Sequence, residues 1–274
     1  IGGNFTDFLS DIKQTSDRGY IVGGGSYSGI SGDKTESSRG VSDCWILKLD
    51  SLGNIEWQKT IGGDLEDGTY VITQTPDGGF ISAGISKSGI SGDKTESNIG
   101  FYDYWVIKLD NVGNILWQKT LGGWNDDVLL AADKTIDGGF ILGGWSNSPI
   151  SGDKIEDNTG SADFWIIKFD TVGNVIYDKV YGGSGQDYPM KILPNSDGTY
   201  YVVGASQSGI SGNKTTDRDL NPDLYDYWVL LLDINGNKIF EKSIGGSYSD
   251  FLHDAIKTGE GLLLVGSSNS PKGL

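Results

Sequence analysis

The chain has 274 residues, a formal net charge of −16 and 43 glycines, about twice the ~7% share of glycine in average proteins. Its negative charge disfavours nucleic acid as a partner, and we expect no membrane insertion because no apolar run approaches the roughly 20 residues that span a bilayer. Cys44 is the single cysteine, which excludes an intramolecular disulfide. We expect its thiol to be a buried apolar filler.

Pairs of glycines recur at a regular spacing. The pairs that begin at Gly2, Gly62, Gly122 and Gly182 are 60 residues apart, and the pair at Gly245 follows after 63. A fixed period of this length is typical of repeat architectures. We therefore predict one domain, residues 1–274, built from repeats 1–60, 61–120, 121–180 and 181–243 and a partial repeat 244–274.

The second repeat illustrates the predicted elements in chain order. Residues 67–74 and 80–86 are β-branched and apolar, and the turn sequence TPDGG at 75–79 separates them. A polar stretch without periodicity follows at 87–102. Residues 103–110 and 115–121 are two further predicted strands, joined by the hairpin sequence NVGN at 111–114.

Four antiparallel strands in about 60 residues, without a helix signal, predict an all-β fold of the β-propeller type. Four full blades and a half blade are predicted. A β-helix has shorter coils, and a sandwich does not normally keep such a period.

Two sets of recurring residues are interpreted as structural. The recurring tryptophans are expected to pack between blades; they are Trp45, Trp105, Trp165 and Trp228. The aspartates that follow each glycine pair are expected to bind backbone N–H groups; they are Asp7, Asp67, Asp127, Asp187 and Asp250.

The joint pattern of GG-x3-D, DGG-[FY]-I and D-x-W-[IV]-x-K-[LF]-D-x-x-G-N resembles the bacterial β-propeller repeat family. The segment ISGDKTE at 30–36 is similar to a loop of the long-looped versions in secreted and surface proteins of Bacteroidetes. The resemblance implies an extracellular or outer-membrane-surface protein exported by type IX secretion. It implies no catalytic residues.

The long loop between the second and third strands of each repeat, here called the b–c loop, carries the candidate metal ligands. Its copies span 28–40, 88–100, 148–160 and 208–225. The first three copies hold two carboxylates three residues apart, and calcium favours oxygen ligands of this kind. A lysine stands between the two carboxylates and the fourth copy lacks the pair, so local hydrogen bonding is the competing interpretation and no cofactor is expected. The candidate calcium ligands are Asp33, Glu36, Asp93, Glu96, Asp153 and Glu156.

Catalytic residues are scarce. His253 is the single histidine, so Ser-His-Asp chemistry lacks a part. Functional sites often break the symmetry of a repeat, and three breaks stand out: Trp124, Trp145 and the insertion at 217–225. An exposed tryptophan can stack on a sugar ring, although both tryptophans also suit packing.

The expected function is a non-enzymatic secreted or surface module for adhesion, binding or scaffolding, with glycan or protein partners held by the b–c loops. The alternatives are a carbohydrate-active enzyme that uses acidic residues on the loop face and a spacer in a large adhesin. The last repeat has only two predicted strands. We therefore expect the natural polypeptide to continue beyond Leu274, with further blades or a partner chain covering the open edge.

Overall fold

A computed structural model describes residues 1–217 and 224–271. Its secondary structure is entirely strands, turns and bends in these ranges, and no helix long and apolar enough to cross a membrane occurs there. The strands are β1 (Asp7–Gln14), β2 (Tyr20–Ser26), β3 (Asp43–Leu49), β4 (Ile55–Ile61), β5 (Asp67–Gln74), β6 (Phe80–Ser86), β7 (Asp103–Leu109), β8 (Ile115–Leu121), β9 (Asp127–Lys134), β10 (Phe140–Ser146), β11 (Asp163–Phe169), β12 (Val175–Tyr181), β13 (Asp187–Pro194), β14 (Tyr200–Ser206), β15 (Asp226–Leu232), β16 (Lys238–Ile244), β17 (Asp250–Thr258) and β18 (Gly261–Ser268).

These strands form four sheets of four strands and one sheet of two. In chain order the sheets comprise β1–β4, β5–β8, β9–β12, β13–β16 and β17–β18, here called sheets 1 to 5. Each strand pairs with its neighbour in the sequence, and the described pairings are antiparallel. The predicted all-β class, the four-strand repeat and its strand order are confirmed.

Local turn chemistry explains why the hairpins form where the sequence predicts them. In the last hairpin of sheet 2, Asp110 accepts backbone N–H groups of Val112 and Asn114 at 2.9 and 2.8 Å. Gly113 has a φ of 85°, a conformation that other residues rarely adopt. Because Asp110 belongs to this turn, β7 ends at Leu109, one residue earlier than predicted.

The chain divides into two compact units, Ile1–Leu129 and Leu130–Leu274, with the division inside β9. In the first unit, one apolar cluster joins Ile21 and Ile46 of sheet 1 to Ile72 and Trp105 of sheet 2. In the second unit, a cluster joins sheets 3 and 4 and includes Ile141, Phe164, Ile192, Tyr200 and Trp228. Each core therefore lies between consecutive sheets.

Backbone hydrogen bonds also link consecutive sheets. The N–H of Asp67 donates to the carbonyl of Ser42 at 2.8 Å, and that of Asp187 donates to Ala162 at 2.8 Å. The bond connects the start of the third strand of one sheet to the start of the first strand of the next. It sets the relative position of neighbouring sheets within a unit.

Candidate functional site

The aspartates that follow the glycine pairs connect each pair to the b–c loop through hydrogen bonds. Asp67 accepts the N–H of Gly63 at 2.6 Å and the hydroxyl of Ser88 at 2.8 Å. A Cβ at Gly63 would lie 2.4 Å from the Cβ of Ser88, and one at Gly62 would lie 2.1 Å from Oδ1 of Asp43. The pair is therefore glycine because two side chains occupy the space, and the aspartates bind backbone N–H groups as predicted.

The lysines of the b–c loops are buried, which sequence reasoning missed. Lys34, Lys94, Lys154 and Lys214 are each about 1% exposed. The ammonium of Lys154 donates to the carbonyl oxygens of Ser148 and Glu156 at 3.0 and 2.7 Å. Burial lowers the pKa of Lys94 to about 8. The lysines bind groups of their own loop, as Lys154 does, or of the fourth strand, as Lys94 does through Thr120. The sequence signal for this role was the recurrence of a lysine in all four loop copies.

The predicted tryptophan packing is confirmed, because Trp45, Trp105, Trp165 and Trp228 are 5, 2, 0 and 0% exposed. The Lys94 ammonium lies 5.2 Å from the ring centroid of Trp105, and the Lys214 ammonium lies 5.6 Å from that of Trp228. Such contacts between a cation and an aromatic face are favourable when desolvated. The tryptophans therefore support the loops as well as the cores.

The carboxylates proposed for calcium bind different elements of the protein. Asp33 accepts the N–H of Gly2 at 3.0 Å, whereas Glu36 accepts the N–H of Thr60 on β4 at 2.8 Å. Asp93 forms an ion pair with Arg39 at 2.7 Å.

The later copies of Glu36 repeat its contact. Glu96 accepts the N–H of Thr120 at 2.6 Å, and Glu156 accepts that of Val180 at 2.9 Å. Asp153 lies in the third loop, in an exposed position. No group of three or more potential metal-binding side chains occurs within residues 1–217 and 224–271. The arrangement favours backbone hydrogen bonding for these carboxylates, and the calcium hypothesis stays a prediction.

Two buried carboxyl groups meet at the junction between consecutive sheets. Asp163 and Asp187 are both 0% exposed. Oδ2 of Asp163 accepts the N–H of Thr159 at 2.6 Å. The pKa of Asp163 is raised to about 6, mainly by burial and also by the nearby Asp187 carboxylate. The equivalent Asp43 and Asp103 also have pKa values raised to about 6 by burial.

The second unit carries a continuous row of half-buried aromatic side chains, here called the aromatic row. It consists of Trp145, Tyr188, Tyr225 and Phe251. The ring centroids of Trp145 and Tyr188 are 5.8 Å apart, those of Tyr188 and Tyr225 5.9 Å, and those of Tyr225 and Phe251 5.4 Å. The exposed His253 follows Phe251 at 5.7 Å.

Polar groups accompany the row. The hydroxyl of Tyr225 donates to Oε1 of Gln186 at 2.6 Å. Burial raises the pKa values of Tyr188 and Tyr225, so both hydroxyls stay protonated at neutral pH. The row therefore combines apolar rings with neutral hydrogen-bonding groups and contains no charged side chain of its own.

The aromatic row departs from the repeat. The position of Trp145 is Gly25 and Ile85 in the first two sheets, and that of Tyr188 is Phe8 and Gly68. One predicted symmetry break, Trp145, lies in the row. Tyr225 ends the predicted insertion at 217–225, but it corresponds to Tyr102 of sheet 2 because both directly precede the third strand of their sheet. Residues 218–223 of that insertion lie outside the described residues.

The remaining candidates lie elsewhere. Trp124 belongs to the first unit and is 67% exposed. Cys44 is buried, as predicted, and burial raises the pKa of its thiol far above the usual range. A buried thiol that stays protonated is a poor nucleophile.

Comparisons with known proteins returned distant matches. No family model matches the chain. The regulatory protein FlaEY of Caulobacter vibrioides is 22% identical over 260 residues, which cover 86% of this chain and 27% of FlaEY. Two variants of Synechocystis apocarotenoid oxygenase match in structure with TM-scores of 0.42 and 0.41 and identities of 14 and 15%. The match covers 91% of this chain and 52% of the oxygenase.

The expectation of a non-enzymatic adhesion, binding or scaffold module that acts through the b–c loops is corrected. The matched solved structures are enzymes, and the sequence relative is a regulatory protein. In the described loops, Lys154 binds the backbone of its own loop, and Glu36 and Glu96 bind backbone N–H groups of the fourth strands. At these TM-scores the structural matches assign no activity or substrate to this chain. None of the matches supports secretion, adhesion or an origin in the Bacteroidetes.

Proposed function

We propose that this chain holds the sugar rings of a carbohydrate substrate along the aromatic row, as part of a carbohydrate-active protein. The observation that carries the proposal is that Trp145, a departure from the repeat, meets Tyr188 and Tyr225 in one row of half-buried rings. The repeat does not require a ring at the position of Trp145, because sheets 1 and 2 have Gly25 and Ile85 there.

The chemistry of the row suits a sugar. Pyranose rings have C–H faces that pack on aromatic rings, while their hydroxyl groups need neutral donors and acceptors at the edge of the contact. The hydroxyl of Tyr225 and the amide of Gln186 provide such groups. The net charge of −16 disfavours acidic polysaccharides, so the proposed substrate is a neutral one.

We further propose that the sheets are blades of a β-propeller. The support is their repeated four-strand order, the apolar cores between consecutive sheets and the hydrogen bond at each described junction. An extracellular location, inferred from resemblance, agrees with a polysaccharide substrate.

Binding of soluble neutral polysaccharides, measured by calorimetry and affinity electrophoresis, tests the proposal. Trp145→Ala should weaken binding about tenfold, equivalent to about 1.4 kcal/mol, a typical aromatic contribution. Trp124→Ala is the matched control, since it removes an exposed tryptophan of the first unit and should leave affinity unchanged. Equal affinity of the Trp145→Ala variant and the wild type, or no binding to any neutral polysaccharide, would refute the proposal. Release of reducing sugars by the chain alone would show that it contains a catalytic group.

A further inference from the structure

Sheet 1 has an apolar face that its own unit leaves uncovered, here called the open face. Leu9 and Ile12 of β1 are 61 and 48% exposed, and Phe8 is 41% exposed. These side chains, with Val22 and Leu47, line a groove of about 390 Å³. Contiguous apolar surface of this kind on a sheet face commonly marks an interaction site.

The repeat identifies what belongs on the open face. The residues of sheet 2 that correspond to Leu9 and Ile12 are Thr69 and Ile72, and both are 0% exposed. Sheet 1 covers them: a Cβ placed on Gly23 of β2 would lie 2.7 Å from Cγ2 of Thr69 and 3.2 Å from the Cβ of Ile72. The first strand of sheet 2 thus packs into space that a glycine in the preceding sheet leaves open.

The second unit repeats this junction. Ile192 of β13 corresponds to Ile12 and is 2% exposed. A Cβ on Gly143 of β10 would lie 2.7 Å from Cδ1 of Ile192. The same side chain of the first strand therefore packs in the same way in both units, against the middle of the preceding sheet's second strand.

A polar contact adds to the apolar packing at the junction within the first unit. Oδ2 of Asp11 on β1 accepts the N–H of Ile72 on β5 at 3.1 Å. Asp254 on β17 and Lys191 on β13 form an ion pair of 2.9 Å between sheets of the second unit. A partner for the open face therefore needs a small residue opposite Ile12 and a polar side chain near the backbone of β1.

We propose that the open face receives another blade of this repeat, a four-stranded antiparallel sheet with glycine or alanine in the middle of its second strand. We infer this occupant because the side chains on the open face correspond to those that the preceding sheet buries at the junction of sheets 1 and 2 and at the junction of sheets 3 and 4. This inference is independent of the carbohydrate proposal, because it concerns a different unit and different side chains.

A fusion of an extra blade to the full chain tests the inference. Residues 121–180, whose Gly143 lies against Ile192, are placed directly before Ile1, so that the repeat register continues. Ile12→Cys introduces a reporter thiol, and the native Cys44 is buried. The labelling rate of the introduced thiol should fall at least tenfold when the extra blade is present, and the melting temperature of the chain should rise.

A matched fusion controls for nonspecific shielding. It carries Gly143→Arg in the added blade alone, which fills the space for Ile12, and it should label as fast as the chain without an extra blade. Equal labelling with and without the unsubstituted extra blade would overturn the inference. Labelling that slows as the concentration of the unfused chain rises, together with elution as a dimer, would also overturn it and assign the face to a second copy.

Discussion

Asp163 offers a quantitative test of how this protein buries charge. Burial raises its pKa from 3.8 to about 6, so the folded protein keeps a proton that the unfolded chain releases. Between pH 4 and 6 the folded state binds more protons than the unfolded state, and the free energy of unfolding therefore falls as the pH rises. The difference between a pKa of 3.8 and one of about 6 means that the buried Asp163 lowers the free energy of unfolding by about 3 kcal/mol above pH 6.

The substitution Asp163→Asn replaces the carboxyl with a neutral group of the same shape. Its amide oxygen can still accept the N–H of Thr159, and it removes the repulsion from Asp187. At pH 4 the variant should match the wild type. At pH 7 it should be more stable by up to about 3 kcal/mol, as measured by urea denaturation across this pH range. Curves that run parallel from pH 4 to 7, or a variant less stable at pH 7, would refute the assignment.

Asp170 provides a control of opposite sign. Its carboxylate is exposed in a hairpin turn and accepts the N–H of Asn174 at 2.9 Å, and such bonds lower its pKa. The ionised Asp170 carboxylate therefore adds to the free energy of unfolding above the pKa that it has in the unfolded chain, and this stabilisation is lost as the pH falls through its lower pKa in the folded protein. Asp170→Asn should therefore destabilise the protein at pH 7, and the difference from the wild type should shrink in acid.

Three further predictions concern packing and metal binding. Gly62→Ala should cost about 1–3 kcal/mol in thermal or chemical denaturation, because its Cβ would overlap the Asp43 carboxylate, whereas Gly89→Ala, with open space around it, should change stability by less than about 0.5 kcal/mol. Trp105→Ala should cost about 3–5 kcal/mol, and a loss below about 1 kcal/mol would contradict the burial of this ring. Millimolar calcium added after EDTA treatment should leave the melting temperature unchanged, since the loop carboxylates bind backbone N–H groups; a rise would establish a calcium site.

Most of the strand pattern could be predicted from the sequence because the signals are local. Asp110, Gly113 and Asn114 specify a hairpin through contacts within five residues. The same turn and strand sequences recur every 60 residues, so the strands assigned in one repeat predict the strands of the others. The roles of the glycine-pair aspartates and of the buried tryptophans followed from the same recurrence.

Tertiary structure alone decided which polar residues are buried and which rings come together. Lys94 lies between two carboxylates of a polar loop and resembles a solvated residue in sequence, yet the loop folds back so that its ammonium packs on Trp105. Trp145 and Tyr225 are 80 positions apart in the numbering of the chain, and they join one row only because Tyr188 of the next sheet lies between them. The sequence by itself determined the strands, the turns and their repetition through local hydrogen bonding and apolar alternation. The packing of consecutive sheets decided the aromatic row, because its rings come from different repeats. The folding of each b–c loop onto its own sheet decided the burial of the lysines, because their ammonium groups pack on the tryptophan of the same repeat.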